Sequence, residues 1–248
     1  MLNITENIKE LIDLGYLFVI NDSGGKDSQC MKILLSRAIP KHQLVIIHSH
    51  LPEVEWEGVQ EHIQKYNMNI PVHFTRAKKT FFEMVDHRKM FPSPQNRQCT
   101  SDLKRGPIQK FINNYAKENN FYGVVNCLGL RAEESSGRAK KEVFRHMPNN
   151  SSKFRNQFEW LPIHHFKLGE VWNTITLAGQ EPHWAYSKGM TRLSCCFCIM
   201  ASEQDLKTAA SLNPELYKRY VAKEKELGFS LIMPKKNQSS FLEQIVNN

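Results

Sequence analysis

The chain has 248 residues, with 33 lysines and arginines against 25 aspartates and glutamates, which gives a formal net charge of +8. This length suits one large α/β domain, or one domain with a small appendage. Hydrophobic residues make up 41% and charged residues 23%, so wholesale disorder is excluded. The apolar stretches fall short of the roughly 18 residues that a membrane span needs, and the first residues lack the apolar region of a secretory signal. We therefore expect a cytoplasmic protein with no membrane partner.

The first half of the chain alternates apolar runs with helical patterns. The apolar runs predict buried parallel strands, and the segments between them have the spacing of amphipathic helices. The predicted strands are Tyr16–Ile20, Leu44–His48, Val72–Thr75 and Tyr122–Gly129. The predicted helices are Ser28–Arg37, Val54–Tyr66 and Pro107–Asn119. Strands that alternate with helices indicate βαβ units, so we expect the α/β class with a doubly wound, mostly parallel sheet.

The C-terminal part of the chain has a helical pattern. Ser202 with Asp205 predicts an N-terminal capping box at the start of that part. We therefore expect an α/β domain over residues 1–200 and a helical extension over residues 201–248. The end of the extension, Lys235–Asn248, is polar and is expected to be mobile.

The strongest local signal is a Ser-Gly-Gly-Lys-Asp-Ser loop between the first predicted strand and the helix that follows it. Backbone N–H groups and the helix dipole converge at such a loop, where they suit a pyrophosphate. The two glycines let the backbone approach phosphate oxygens, Lys26 neutralises phosphate charge, and Asp27 is placed to hold Mg²⁺. The spacing differs from that of a Walker A loop. We expect six residues to contact the nucleotide: Ser23, Gly24, Gly25, Lys26, Asp27 and Ser28.

Positive charge is concentrated in two stretches. Residues 76–105 hold eight Lys or Arg and three Asp or Glu, a net of +5, and residues 131–155 hold seven and three, a net of +4. Such clustering favours a phosphate-rich partner, either a nucleotide or a nucleic acid, over a merely solvated surface. Two polar segments in or next to these stretches, Phe91–Gln98 and Pro148–Asn156, are typical of active-site loops.

The loop at residues 23–28 resembles the PP-loop of the ATP pyrophosphatases, which cleave ATP between its α and β phosphates. Within that superfamily the chain resembles the phosphoadenosine phosphosulfate (PAPS) reductase family. That family includes sulfonucleotide reductases and the PP-loop protein of Dnd-type DNA phosphorothioation. Four further stretches carry the likeness in the order of the family's motifs: Leu51–Glu53, Gly129–Arg138, Leu161–Trp172 and Tyr186–Cys198. The resemblance implies the adenine nucleotide alpha hydrolase-like fold.

The resemblance also implies a phosphate clamp in the stretch that begins at Gly129. Arg131 and Arg138 match the two arginines of the family's G-x-R-x-x-x-S-x-x-R motif, and they would bind a phosphate or sulfate bidentately. The alternative for either arginine is an ion pair with Glu133 or Glu134. Gly129 itself is expected to lie against the nucleotide.

Three residues are expected to take part in catalysis and one more in binding. Lys26, Asp27 and Arg131 are the predicted catalytic residues. His48 ends the second predicted strand, at the sheet edge where doubly wound folds bind ligands, and it is expected to contact the nucleotide. A structural histidine at the edge of the core is an equally good interpretation of His48.

Six cysteines in a chain expected in a reducing compartment favour metal or redox chemistry over a disulfide scaffold. Cys30 lies in a predicted helix and Cys127 in a predicted strand, where each is typical of a small buried hydrophobic residue. Cys195 and Cys198 form a chelating C-x-x-C pair, with Cys196 as an extra thiol between them.

In cluster-bearing reductases of the family, an adjacent cysteine pair joins a later C-x-x-C around a 4Fe–4S cluster. Gln98 occupies one position of that pair, so the resemblance implies three thiol ligands that leave one iron open: Cys99, Cys195 and Cys198. Cys196 is an alternative fourth ligand, and zinc with a histidine such as His183 is another alternative. Cys99 also precedes a predicted helix start, which should lower its pKa and favour the thiolate.

These features predict an ATP-dependent sulfurtransferase of the PP-loop class. It would adenylate a nucleic-acid or related acceptor and replace the acceptor oxygen with sulfur delivered through the cluster, while Mg²⁺ assists the departure of pyrophosphate. A protein sulfur donor is a candidate partner. The first alternative is PAPS reduction, whose family members use a cysteine near the C-terminus, but no cysteine follows Cys198 here. The second is a non-catalytic nucleotide-binding module with a structural metal site.

Overall fold

A computed structural model describes residues 2–153, 155–234 and 240–247. The helices in these ranges are α1 (Glu6–Asp13), α2 (Lys26–Ala38), α3 (Val59–Lys65), α4 (Phe81–Arg88), α5 (Gln98–Thr100), α6 (Gly106–Glu118), α7 (Ser136–Ala139), α8 (Leu168–Leu177), α9 (Glu203–Leu212), α10 (Pro214–Leu227) and α11 (Leu242–Asn247). The strands are β1 (Leu17–Asn21), β2 (Leu44–His50), β3 (Val72–Arg76), β4 (Gly123–Cys127), β5 (Phe144–His146) and β6 (Asn156–Trp160). None of the described helices combines the length and apolar character required to cross a bilayer.

The six strands form one sheet in the order β3-β2-β1-β4-β6-β5. β1 pairs in parallel with β2 and β4, β4 pairs in parallel with β6, and β5 adds to the edge in antiparallel orientation. The four predicted strands correspond to β1 to β4, and the predicted doubly wound, mostly parallel α/β fold is confirmed. The strand order reverses between β1 and β4, so their carboxyl ends flank the crevice where such folds bind ligands.

Helices cover the central strands, which explains why their sequences are apolar without alternation. Leu17 and Val19 of β1 and Val124 of β4 form one buried cluster with Ile112 and Ala116 of α6. The residues between them, such as Phe18, are also fully buried. The predictions that Cys30 and Cys127 are buried are confirmed, since both are 0% exposed.

The described chain divides into two compact units. The first comprises residues 1–48, 60–75 and 108–182, and it contains the body of the sheet and the PP-loop. The second comprises residues 49–59, 76–107 and 183–248, and it contains the C-x-x-C pair, Cys99 and helices α9 to α11. The predicted division at residue 200 stays a prediction.

The helix predicted over Val54–Tyr66 begins later, at Val59. Glu53 has a φ of 73° and Gly58 a φ of 80°, values that an α-helix cannot contain. The chain therefore turns between these two residues before α3 starts. The predictions for α2 and α6 agree with the structure to within two residues at each end.

Strand β6 was not predicted, although it pairs with the central strand β4. Its sequence is Asn-Gln-Phe-Glu-Trp, which has no apolar run. Gln157 is only 2% exposed, and its side chain is satisfied by α6: its Oε1 accepts from Gln109 at 2.8 Å, and its Nε2 donates to Asn113 at 2.8 Å. Because hydrogen bonds replace apolar contact here, a search for apolar runs passes over the strand.

The predicted cap of α9 is present in part. Ser202 Oγ accepts from the backbone N–H of Asp205 at 3.1 Å, as a capping residue should. The predicted reciprocal hydrogen bond, from the Ser202 backbone N–H to the Asp205 carboxylate, is wrong. That carboxylate instead accepts from the backbone N–H and hydroxyl of Thr191 at 2.7 and 2.8 Å. Asp205 thus fixes the segment that leads into the C-x-x-C pair.

The C-terminal tail was predicted to be polar and mobile. Lys235–Ser239 and Asn248 lie outside the described residues. The part between them contradicts the prediction, because α11 buries Leu242 and Ile245. Glu224 of α10, itself 1% exposed, accepts from the backbone N–H groups of Leu231 and Leu242 and so ties α11 to α10.

Candidate functional site

The PP-loop is shaped by a buried aspartate that sequence reasoning missed. Asp22 directly follows β1, and its Oδ1 accepts from the backbone N–H of Gly24 at 2.9 Å and from the Ser28 hydroxyl at 2.8 Å. The Ser28 hydroxyl in turn accepts from the backbone N–H of Ser23 at 3.1 Å. Gly24 has a φ of 73°, the left-handed region that favours glycine. These contacts turn the chain from β1 into α2.

Asp22 also forms a buried ion pair with Lys32. Lys32 Nζ lies 2.6 Å from Asp22 Oδ2, and the two side chains are each 1% exposed. Burial alone would raise the pKa of Asp22, but the Lys32 charge and the hydrogen bonds from Lys32, Gly24 and Ser28 lower it below its usual range. The loop is therefore built on a charged aspartate. The available sequence signal was an aspartate between an apolar strand and the Ser-Gly-Gly loop.

The first residues of α2 belong to a chain of opposite charges. Lys26 Nζ lies 3.2 Å from Asp27 Oδ2, and Arg131 Nε lies 2.6 Å from Asp27 Oδ1. Lys26 and Arg131 are each 4% exposed, and Lys26 Nζ also lies 6.0 Å from the centre of the Trp172 ring. The helix N-terminus, two cations and a carboxylate thus occur together at the end of β1.

Each predicted clamp arginine makes an ion pair with a neighbouring glutamate. Arg131 Nη1 lies 2.6 Å from Glu133 Oε2, and Arg138 donates to Glu134. Arg131 is also paired with Asp27, whereas Arg138 is half-buried and its side chain pairs with Glu134. The structure therefore brings Arg131 to the loop, and the role of Arg138 in binding stays a prediction.

His48 lies against the start of the loop. It is 4% exposed, and its Nδ1 is 2.7 Å from the backbone carbonyl oxygen of Asp22. Its ring also packs edge-on against Phe74, with 6.0 Å between the ring centres. His48 thus supports the backbone at the point where β1 enters the loop, and its contact with a nucleotide stays a prediction.

The second unit brings Cys99 together with the C-x-x-C pair. Negative charge on Cys198 and Cys99 raises the pKa of Cys195, an effect that requires the three thiols to be close. Burial is the larger cause, and it raises the pKa of Cys195 to about 12 although Lys104 opposes it. Cys198 Sγ accepts from the backbone N–H of Met200 at 3.5 Å.

Lys104 is the cation that faces these thiols. Negative charge on Cys195 is the largest cause that raises its pKa, and charges on Glu55, Cys198 and Cys99 add to it, while burial opposes them. The half-buried Lys104 therefore stays protonated and favours thiolates around it. In the sequence, Lys104 is recognisable only as one cation of the basic stretch 76–105.

The prediction that Cys99 has a lowered pKa is wrong. Cys99 lies in the first turn of the helical run that starts with α5, but burial and then the charge of Cys198 raise its pKa, and Lys104 and Thr100 only partly offset them. Cys196 is 1% exposed, and burial, with Cys195 next, raises its pKa as well. Both thiols are thus protonated at neutral pH unless a metal displaces the proton.

His183 is a poor zinc ligand in this structure. Its Nε2 lies 3.1 Å from the carbonyl oxygen of Glu57, and its Nδ1 accepts from the backbone N–H of Ala185 at 3.3 Å. It is 1% exposed, and burial lowers its pKa. Both ring nitrogens therefore serve the backbone, which is the pattern of a neutral structural histidine.

Comparison with known families matches residues 18–201 to the phosphoadenosine phosphosulfate reductase domain. The chain belongs to this family. The matched segment contains the PP-loop, the Arg131 segment and all six cysteines. It ends before α9, so α9 to α11 lie beyond the family match.

Relatives from the archaeon Methanocaldococcus jannaschii share this sequence pattern. The uncharacterized protein MJ0973 is 27% identical over 208 residues, which cover 84% of this chain and 47% of that protein. The uncharacterized protein MJ0066 is 26% identical over 221 residues, which cover 88% of this chain and 42% of that protein. The chain therefore spans less than half the length of these curated relatives.

Solved structures with the same fold include a Candida glabrata FMN adenylyltransferase in complex with FMN and the ATP analog AMPCPP. It has a TM-score of 0.53 and 14% identity, and the match covers 77% of this chain and 59% of that chain. A phosphoadenylyl-sulfate reductase from Candida auris, in a phosphate complex, has a TM-score of 0.45 and 12% identity over 78% of this chain and 96% of that chain. The likeness to the adenylyltransferase shows the fold.

Gly129 of this family member lies directly against the PP-loop. A Cβ atom at this position would stand 3.2 Å from the backbone carbon and oxygen of Asp27 and from the backbone nitrogen of Ser28. These neighbours are backbone atoms at the start of α2, so they cannot rotate away as a side chain would. The absence of a side chain at Gly129 thus favours the close approach of the segment after β4 to the loop, where a Cβ would be tightly packed.

Replacing Gly129 with alanine should lower the free energy of unfolding by about 1–3 kcal/mol, the usual cost of overpacking. The matched control is Gly137→Ala, because a Cβ at Gly137 meets no atom within 4 Å and the residue lies in the short helix α7. That control should change the free energy of unfolding by less than about 1 kcal/mol. Urea denaturation of the two variants tests this, and equal effects would contradict the packing argument.

The two basic stretches differ in how much charge they present. In residues 131–155, Arg131, Arg138 and Arg145 are paired with glutamates or Asp27, and Arg155 donates to backbone carbonyl oxygens. In residues 76–105, seven of the eight cations are exposed: Arg76, Lys78, Lys79, Arg88, Lys89, Arg97 and Arg105. The positive surface that the sequence predicted is therefore carried mainly by residues 76–105.

Proposed function

We propose that this PAPS reductase family member is a PP-loop enzyme that binds ATP and cleaves it between the α and β phosphates. It would transfer AMP to an acceptor oxygen and then replace that oxygen with sulfur. Membership of the family and the common fold with an adenylyltransferase support the nucleotide part of this proposal. The shape and charge of the PP-loop support the chemistry.

The observation that carries the proposal is the position of Asp27 between two buried cations. Its carboxylate bridges Lys26 and Arg131 at the N-terminus of α2. With nucleotide present, Lys26 and Arg131 would contact phosphate oxygens, and Asp27 would turn to Mg²⁺, which prefers a carboxylate together with phosphate oxygens. Burial of both cations strengthens their attraction for the negative charge that develops on the departing pyrophosphate.

The proposed reaction has two displacements. In the first, the acceptor oxygen attacks the α phosphorus, and the bond from that phosphorus to the bridging oxygen breaks, so that pyrophosphate leaves. In the second, a sulfur nucleophile attacks the acceptor atom, and AMP leaves with the former acceptor oxygen. Formation of the adenylate turns this oxygen into part of a good leaving group, AMP, which is why the reaction consumes ATP. Sulfide supplies the sulfur, so this displacement needs no oxidant or reductant.

The thiols of the second unit fit a role in sulfur delivery. Among the described residues, no three thiols have their sulfur atoms all within 4.8 Å of one another. A tetrahedral zinc ion with Zn–S bonds of about 2.3 Å would require the three sulfur atoms to move to about 3.8 Å from one another. We propose instead that Cys99, Cys195 and Cys198 hold a 4Fe–4S cluster. When bound, such a cluster would supply electron transfer or sulfide chemistry.

The acceptor is proposed to be a nucleic acid. The exposed cations of residues 76–105 support this, because a run of exposed Lys and Arg is the electrostatic footprint of phosphate-backbone binding. The alternative of PAPS reduction is less well supported, since Cys196, the thiol that would have to act as nucleophile, is buried and has a raised pKa.

Two ATP analogues test the bond that is cleaved. With a nucleic-acid acceptor, the iron- and sulfide-reconstituted chain is expected to release AMP from β,γ-methylene-ATP, whose α–β bridge is intact oxygen. It should release none from α,β-methylene-ATP, in which that bridge is blocked. Chromatography of the nucleotide products measures both reactions under anaerobic conditions, with DNA and RNA acceptors compared.

Each failure of this experiment has a distinct meaning. If both analogues bind but no AMP is released with any acceptor, the chain is a nucleotide-binding module and not the proposed enzyme. Release of α,β-methylene-ADP and phosphate from α,β-methylene-ATP would mean cleavage at the γ phosphate and would contradict the proposal. If calorimetry detects no binding of either analogue, the proposed nucleotide site itself is contradicted.

A further inference from the structure

Tyr220 of α10 is the residue beyond the family match that faces the cysteines. It is 0% exposed, and its ring packs on Phe197 with 5.1 Å between ring centres. Phe197 lies between Cys196 and Cys198, inside the C-x-x-C pair. Tyr220 therefore packs against the residue inside the C-x-x-C pair from the C-terminal helices.

The Tyr220 hydroxyl has no hydrogen-bond partner among the residues that the structure describes. Buried hydroxyl groups are rarely left in this state, because an unsatisfied donor is costly. Burial is the main cause that raises the Tyr220 pKa, and negative charges on Cys195, Cys196, Cys198 and Cys99 raise it further. The Tyr220 hydroxyl is thus neutral and able to donate a hydrogen bond. It is close enough to all four thiols for their charges to affect its pKa.

We infer that the Tyr220 hydroxyl donates a hydrogen bond to a sulfur atom of the metal group held by Cys99, Cys195 and Cys198. This inference rests on the metal part of the proposed function and names a residue that tunes it. Tyr220 is a positioning residue, since it would act through the sulfur and touch no substrate. Hydrogen bonds to sulfur stabilise the reduced, more negative state of such a group and so raise its reduction potential.

The test compares Tyr220→Phe with Tyr217→Phe. Tyr217 is on the same helix and packs on the same Phe197 ring, at 6.2 Å, but burial and then the charges of Glu243 and Glu224 are the main causes that raise its pKa. Each protein is reconstituted anaerobically with iron and sulfide. Iron and sulfide are counted, and the midpoint potential is measured by redox titration.

Tyr220→Phe is expected to bind as much iron and sulfide as the wild type but to have a more negative midpoint potential. A tenfold change in the equilibrium between oxidised and reduced forms, about 59 mV for one electron, is the expected size. Tyr217→Phe should leave the potential unchanged. Without metal, the melting temperature of Tyr220→Phe should equal or exceed that of the wild type, because the lost hydroxyl has no partner there.

Four results would overturn the inference. They are an unchanged potential in Tyr220→Phe, an equal shift in Tyr217→Phe, a lower melting temperature of metal-free Tyr220→Phe, and failure of the wild type to take up iron and sulfide. Loss of iron from Tyr220→Phe alone, with the metal-free protein folded, contradicts the expected equal uptake and would likewise overturn the inference. Cleavage of β,γ-methylene-ATP is measured separately, so failure of the nucleotide chemistry is distinguishable from failure of this inference.

Discussion

Asp27→Asn is expected to slow AMP release from β,γ-methylene-ATP by about 100- to 1,000-fold, the effect of removing one preorganised electrostatic group. The substitution keeps the size of the side chain and removes the charge that would hold Mg²⁺. It also leaves Lys26 and Arg131 without the carboxylate between them. Arg131 keeps Glu133 at 2.6 Å, so we expect the variant to fold. Product chromatography at saturating Mg²⁺ measures the rate.

The matched control is Asp13→Asn, at an exposed position at the end of α1. It makes the same chemical change without touching the loop, and its rate should stay within about twofold of the wild type, as for a surface substitution without a structural role. Thermal unfolding of both variants separates a lost reaction from a lost fold. A rate for Asp27→Asn within tenfold of the wild type, in a folded protein, would show that Asp27 has no catalytic role.

The sequence predicted the body of the fold because its central strands are buried on both faces. β1, β2 and β4 are apolar runs between helical patterns, and that arrangement permits few topologies. β6 could not be found in this way, because its buried residue Gln157 is polar and is satisfied by hydrogen bonds with α6. The start of α3 was misplaced because positive φ angles at Glu53 and Gly58 leave little trace in composition.

The candidate site was predictable where a local motif sets the geometry. The loop residues adjoin one another in sequence, and Arg131 follows β4 at the strand switch point, so the meeting of Arg131 with Asp27 follows from the fold. Asp22, Lys104 and Tyr220 were missed for a different reason. Lys104 and Tyr220 lie near thiols that are far away along the chain. Asp22 adjoins the loop, but it acts through buried contacts with Ser28 and Lys32 that its position in the sequence does not reveal. Only coordinates show that Lys104 and Tyr220 face the thiols.

Lys32→Met is expected to lower the free energy of unfolding at pH 7 by about 3–5 kcal/mol, the usual cost of breaking a buried ion pair at one end. Met fills the volume of the lysine stem but leaves the Asp22 carboxylate buried without its cation. The double variant Asp22→Asn with Lys32→Met should recover part of this loss, because Asn keeps an oxygen for the Gly24 N–H and the Ser28 hydroxyl. Urea denaturation of the four proteins measures the coupling.

The pH dependence of the stability that Lys32→Met loses identifies the cause of that loss. In the wild type the pKa of Asp22 is lowered, so the ion pair stabilises the fold above the unfolded pKa of about 3.9 and is lost only as the pH falls through the lower folded value. In Lys32→Met, burial acts without the opposing cation and should raise the pKa of Asp22. The folded variant then takes up a proton as the pH falls from 7 to 5, which removes the buried charge. The difference in free energy of unfolding between wild type and Lys32→Met should therefore shrink over that range, whereas a difference independent of pH would assign the loss to packing at Lys32.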